Sequence, residues 1–151
     1  MSPDDQLTER PAKHRHLMWL GVFAGLMLVV IGGRFLIDPR AAQHAFGLAK
    51  AGLVHELHAI VGLRDLWLGF IAIILASLKE WRALAVWLGL GAVVCVADSA
   101  IVAATTGKLW AIAFHVGSGV FCGWLALACW RAHRRAALPS DPGKDDRPPV
   151  V

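Results

Sequence analysis

The sequence predicts an all-α fold, a four-transmembrane-helix bundle with a short interfacial helix in its first outer loop. Three observations carry this reading. The 151 residues are 57% hydrophobic and only 17% charged, with a mean hydropathy of +0.57, whereas soluble domains carry about a quarter charged residues. Four apolar runs, Leu17 to Ile37, Leu57 to Leu78, Ala83 to Ala104 and Leu109 to Trp130, are each close to the roughly 20 residues that cross a hydrocarbon core. Lys and Arg gather in the flanks of those runs. A barrel would need shorter, strictly alternating strands.

Composition also excludes functions. The net charge of +4 sits in tails and connections, not along a basic groove, so no nucleic-acid partner is expected. Cys95, Cys122 and Cys129 are odd in number and lie inside apolar runs, which argues against a disulfide framework.

The first run follows Arg10, Lys13 and Arg15 as a secretory signal would. It is longer than such a segment, however, and ends in Arg34-Phe35-Leu36 where small cleavage-site residues belong, so it reads as an uncleaved anchor. Arg10, Lys13, Arg15, Lys79, Arg82, Arg131, Arg134 and Arg135 flank one side of the spans; Arg40, Lys50 and Lys108 flank the other. Positive-inside bias then puts both termini in the cytoplasm of a cell with this chain in its inner membrane. Trp19, Trp81, Trp110 and Trp130 stand at span ends, the usual place of headgroup anchors. Short connections predict that consecutive helices pack as antiparallel neighbours.

The first outer loop, Asp38 to Glu56, opens with Asp38-Pro39, a helix cap followed by proline at the first helical position, and Gly47 offers a stop. A short surface helix follows. Residues 1–16 read as a cytoplasmic tail, 17–131 as the four-helix domain, and 132–151 as a disordered cytoplasmic tail rich in polar residues and proline.

Ionisable residues inside the spans are the informative feature: Arg34, Arg64, Asp65, Asp98 and His115. At 1.5 Å rise per residue, the last four lie roughly 9–12 Å below the outer ends of their runs, with Arg34 shallower at about 5 Å. Two charges in the second run cost up to roughly 5–7 kcal/mol on insertion, against about 4–7 kcal/mol returned by its Leu, Ile, Val and Phe residues, so that helix needs partners. Arg64 and Asp65 point about 100° apart. The expected pairs are Arg64 with Asp98, and Asp65 with Arg34 or His115; the sequence does not choose between the last two. His115, Ser118, Cys122 and Cys129 share a helix face, as do His55, His58, Gly62 and Asp65. Gly21 with Gly25, and Gly119 with Gly123, are small-residue pairs that allow close helix approach. His55, Glu56 and His58 have helical ligand spacing but lack a closed ligand set, so no metal site is assigned.

The run Gly62-Leu63-Arg64-Asp65-Leu66 with Gly69, followed by Asp98 and His115 and preceded by Arg34-Phe35 and Asp38-Pro39, resembles a family of small four-pass membrane proteins of bacteria and fungi, catalogued as a domain of unknown function. The resemblance covers residues 17 to 130 and implies a four-helix membrane fold without an assigned activity.

Three functions compete. In the first, Asp98 and His115 are an acid/base pair acting on, or binding, a lipophilic small molecule, with Arg34, Arg64, Asp65, His58 and Ser118 as ligand-binding residues and no cofactor. In the second, the chain is a small proton-coupled transporter, but the inner halves of the spans lack the polar groups of a path. In the third, it is a structural subunit held by its ion pairs. Expected partners are membrane lipid, a lipophilic small molecule and a second copy of the chain.

Overall fold

A computed structural model of the protein describes residues 10–48 and 55–136. These form α1 Arg10–Ile37, α2 Pro39–Phe46, α3 His55–Ser77, α4 Trp81–Thr105 and α5 Leu109–Ala136. Four of the five are long and apolar enough to cross a membrane, over Arg15–Ile37, His55–Ser77, Trp81–Thr105 and Leu109–Ala136. The helices overrun the apolar runs, so 10–16 and 132–136, read from sequence as tail, are helical. The remainder of both tails lies outside the described residues, as does 49–54 of the first outer loop.

The short helix forms where its punctuation places it. The Asp38 carboxylate accepts the Ala41 N–H at 3.0 Å and Pro39 opens the helix, while Gly47, at φ 98°, closes it in the left-handed region. At the other end of the bundle α3 stops in the same way but with a side chain. Lys79 takes φ 59°, with its N–H donating to the Ala76 carbonyl and the Glu80 N–H donating to that of Leu75.

The long helices pack as two antiparallel pairs, α1 with α3 and α4 with α5; contact between the pairs is much thinner. Glycine explains the first pair. A Cβ at Gly32 would stand 2.6 Å from the Gly62 carbonyl oxygen, and one at Gly25 would stand 2.7 Å from that of Gly69. Each contact is reciprocal, so backbone lies on backbone at two points two helical turns apart. Gly21 fits against Ala76 and Gly119 against Cys95, whereas a side chain at Gly123 would meet nothing within 4 Å. That last glycine is not the packing device its spacing suggested.

The expectation that consecutive helices are close neighbours holds for α4 and α5 and fails for α3 and α4. The buried stripe of α3, Gly62, Asp65, Gly69, Ala72 and Ala76, is used by α1, and the three residues 78–80 leave α4 to turn away. The pairs are joined near this turn by a cluster of Ala24, Ala76, Trp81, Leu84, Ala85, Leu88, Leu125, Cys129 and Ala132. Trp81 belongs to this cluster at 8% exposure, so it is a core residue and not the headgroup anchor its position at a span end suggested. Trp19, Trp110 and Trp130 are exposed. Phe23 of α1 meets Phe121 of α5 edge-on, with centroids 6.3 Å apart.

At the opposite end α2 bridges the pairs. The Thr106 hydroxyl donates to the Gly47 carbonyl at 2.6 Å, and Gly47 sits so close to Ala111 and Val102 that a Cβ there would fall 2.7 Å and 3.0 Å from their side chains. Elsewhere the long helices turn Leu63, Trp67, Phe70, Ile74, Val93, Val120, Trp124 and many similar side chains outward. Apolar exposure on this scale does not survive in water. It suits lipid.

Candidate functional site between the helix pairs

Just below α2, side chains from four elements converge. His115 of α5 is 3% exposed. Its Nε2 lies 3.3 Å from the Phe46 carbonyl oxygen of α2, and the Phe46 ring packs on the imidazole at a centroid distance of 4.4 Å. A carbonyl only accepts, so Nε2 carries the hydrogen and donates it; Nδ1 is then the basic nitrogen of the neutral ring. Among the described residues no hydrogen bond reaches Nδ1. The aromatic contact continues from Phe46 to Phe35 of α1 at 6.0 Å and from Phe35 to His58 of α3 at 5.8 Å. Phe35 entered the sequence reading only as part of the family resemblance and Phe46 not at all; a phenylalanine just before the Gly47 stop is the signal that was there.

The arginine pairs differently from expectation. Arg64 Nε and Nη2 both donate to Oδ1 of Asp65, its own neighbour in α3, at 3.0 Å. The Cα directions do diverge, but the flexible arginine arm curls back and closes the gap. The Asp65 side chain is 8% exposed and that of Arg64 is 53% exposed, so a buried carboxylate is met by an arginine arm at the edge of the bundle, within one helix and not across two. None of the cross-helix ion pairs expected from sequence, Arg64 with Asp98 or Asp65 with Arg34 or His115, is present among the described residues. Arg34 is exposed at the end of α1.

Asp98 is half-buried on α4 and makes no hydrogen bond or ion pair among the described residues. The charges that act on it are those of His115, Arg64 and Asp65. Thus four of the five intraspan ionisable residues share one neighbourhood, and Arg34 stands apart. Ser118 is half-buried one turn along α5 from His115. Cys95 and Cys122 bring their thiols together one turn further from α2, and the Ser99 hydroxyl donates to the Cys95 carbonyl at 2.7 Å. No three His, Cys, Asp or Glu side chains gather in a metal-holding group among the described residues.

A family model described as a domain of unknown function, DUF4267, matches residues 25–131. The chain belongs to this family. The match takes in α2, α3 and α4 whole, the second half of α1 from residue 25 and most of α5, and with them every residue of the polar neighbourhood. No curated protein and no solved structure matches the chain. Its four long apolar helices make this DUF4267 member a small multi-pass membrane protein.

Proposed function

We propose that this DUF4267 protein binds a lipophilic small molecule bearing a polar oxygen group in the seam between its helix pairs, and acts on it by acid/base chemistry. The supporting observation is Asp98, a carboxyl group without a hydrogen bond or ion pair among the described residues, half-open on the flank of the bundle and facing the charges of His115, Arg64 and Asp65. A purely structural carboxylate in lipid would be paired, because an unpaired one is costly there.

The roles divide by exposure. Asp98 is the open member and meets the ligand. His115, fixed by donating Nε2–H to Phe46, has Nδ1 left to take up or return a proton, and the Asp98 carboxylate stabilises the imidazolium that results. Arg64 uses two of its five N–H groups on Asp65, which leaves donors for a developing negative charge on the ligand's oxygen. Asp65 holds that guanidinium in place. Ser118 supplies a hydroxyl one turn away, and His58, in ring contact with Phe35, lies towards the α2 end.

Asn has nearly the shape of Asp, and Asp98 has no partner among the described residues to lose. Asp98→Asn is therefore expected to change stability by less than about 0.5 kcal/mol while removing the charge. Native mass spectrometry of protein purified from membranes in mild detergent is expected to find a bound apolar compound on the wild type and to lose it in Asp98→Asn and His115→Gln. Loss of ligand in step with loss of melting temperature in both variants would make the residues structural.

We further propose that the basic end of the bundle faces the cytoplasm. Arg15, Lys79, Arg82, Arg131, Arg134 and Arg135 lie at the end of the α3–α4 turn, and Arg40 and Lys108 at the α2 end. Reporters fused after Val151 and inserted within Asp38 to Glu56 are expected on opposite sides, the former cytoplasmic. A cytoplasmic signal from the loop reporter would reverse the orientation.

A further inference from the structure

Because α4 turns away from α3 after residues 78–80, the two helices enclose an open groove of about 490 Å³, lined by Leu75, Glu80, Arg82, Ala83, Val86, Trp87 and Leu90. It starts at the polar turn and runs along α4 from Glu80 to Leu90. Ten residues at 1.5 Å rise make about 15 Å, half of a hydrocarbon core about 30 Å thick. The walls are apolar below the turn, and the charged residues are confined to its mouth. There Arg82 and the adjacent Lys79 outweigh Glu80 by one positive charge. Across the rest of this end, the described residues carry Arg15, Arg131, Arg134 and Arg135 as well.

The geometry points to a binding site for one anionic phospholipid, a single acyl chain lying in the groove and its monoanionic phosphodiester resting on Arg82. The charge at the mouth decides between occupants. A helix from a second copy of the chain has no need of a cation there, whereas an apolar groove with a cation at its surface end is the shape of an anionic lipid. The net single positive charge at the mouth matches a lipid of one net negative charge and not one whose headgroup cation already cancels its phosphodiester. The buried chain supplies affinity in proportion to the methylene groups removed from the annular lipid's disorder into a fixed wall, and Arg82 supplies headgroup selectivity. This site is separate from Asp98 and His115 and stands whether or not they act on a ligand.

The full-length protein in detergent, titrated with dioleoylphosphatidylglycerol or dioleoylphosphatidylcholine and read by native mass spectrometry, tests it. One phosphatidylglycerol is expected to bind in preference to phosphatidylcholine. Arg82→Gln is expected to weaken phosphatidylglycerol about fivefold, the worth of one interfacial cation, and to weaken phosphatidylcholine, whose choline offsets the same phosphodiester charge, by less. Val86→Trp, at an exposed groove position, is expected to weaken both lipids. Arg134→Gln, at the same end but outside the groove, is expected to leave both at the wild-type level. Equal affinity for the two lipids would overturn the assignment, as would an equal loss in Arg134→Gln and Arg82→Gln or an unchanged Val86→Trp. A dimer mass that disappears in Val86→Trp would seat a second copy there instead.

Discussion

Gly32→Val is expected to separate α1 from α3 and to destabilise the protein by about 3 kcal/mol, the upper end of ordinary overpacking. The atoms in the way are backbone: the Gly62 carbonyl oxygen at 2.6 Å and the Leu66 nitrogen at 2.8 Å from the new Cβ. A flexible side chain could swing aside, but a helix backbone in contact with a second helix backbone can only move as a whole. Gly69→Val is expected to behave alike, since its Cβ would stand 2.6 Å from the Gly25 carbonyl oxygen. The adjacent residue supplies the control. A Cβ at Gly33 meets nothing within 4 Å, so Gly33→Val is expected to lie within about 0.5 kcal/mol of the wild type. Unfolding in mixed micelles, followed by helical content, separates the two. Equal damage from Gly33→Val and Gly32→Val would show that the glycines matter as flexible points and not as a contact surface.

Gly47→Ala is expected to release α2 from the end of the bundle, at a cost of about 2–5 kcal/mol from two sources. The left-handed conformation at φ 98° costs a residue with a Cβ roughly 1–2 kcal/mol. The methyl group would also meet the Ala111 Cβ at 2.7 Å and Val102 Cγ1 at 3.0 Å, an overpacking of about 1–3 kcal/mol. Because the damage is confined to the α2 dock, hydrogen exchange is expected to quicken in 39–47 while the amides at the α4–α5 contact keep their protection. Phe46 leaves with α2, so His115 loses its carbonyl acceptor. Unchanged exchange in α2 would mean that the helix is held by something other than this contact.

Much of this architecture is legible in the sequence because the bilayer fixes element length. Four runs of about 20 apolar residues allow little but four helices, and Asp38-Pro39 with Gly47 marks both ends of α2 by backbone chemistry alone. The polar neighbourhood was legible as depth, since counting residues from span ends brought Arg64, Asp65, Asp98 and His115 to one level. Pairing was not, because it depends on side-chain reach and helix rotation. Arg64 was assigned to another helix from its Cα direction, whereas its long arm returns to Asp65. Helix neighbours were misread for a related reason. Connection length limits how far apart helices start, but surface shape decides where they lie, and the reciprocal glycines of α1 and α3 outweigh the short α3–α4 turn. The signal was present: Gly25 with Gly32 and Gly62 with Gly69 share a spacing of seven residues, two turns of helix, on the two helices of the pair. Trp81 was misread by residue type, because tryptophan at a span end is an anchor only if its own helix face turns outward.

Asp98 is half-buried and makes no hydrogen bond or ion pair among the described residues, whereas Asp65 is buried against Arg64, so in the proposed function only Asp98 is open to a reagent arriving through lipid. Dicyclohexylcarbodiimide partitions into apolar phases and converts accessible carboxylic acids there to stable N-acylureas. Peptide mapping of the treated protein is expected to find the adduct on Asp98, with Asp65, buried and held by Arg64, unmodified. An adduct on Asp65 with Asp98 intact, or no adduct on either, would contradict the account.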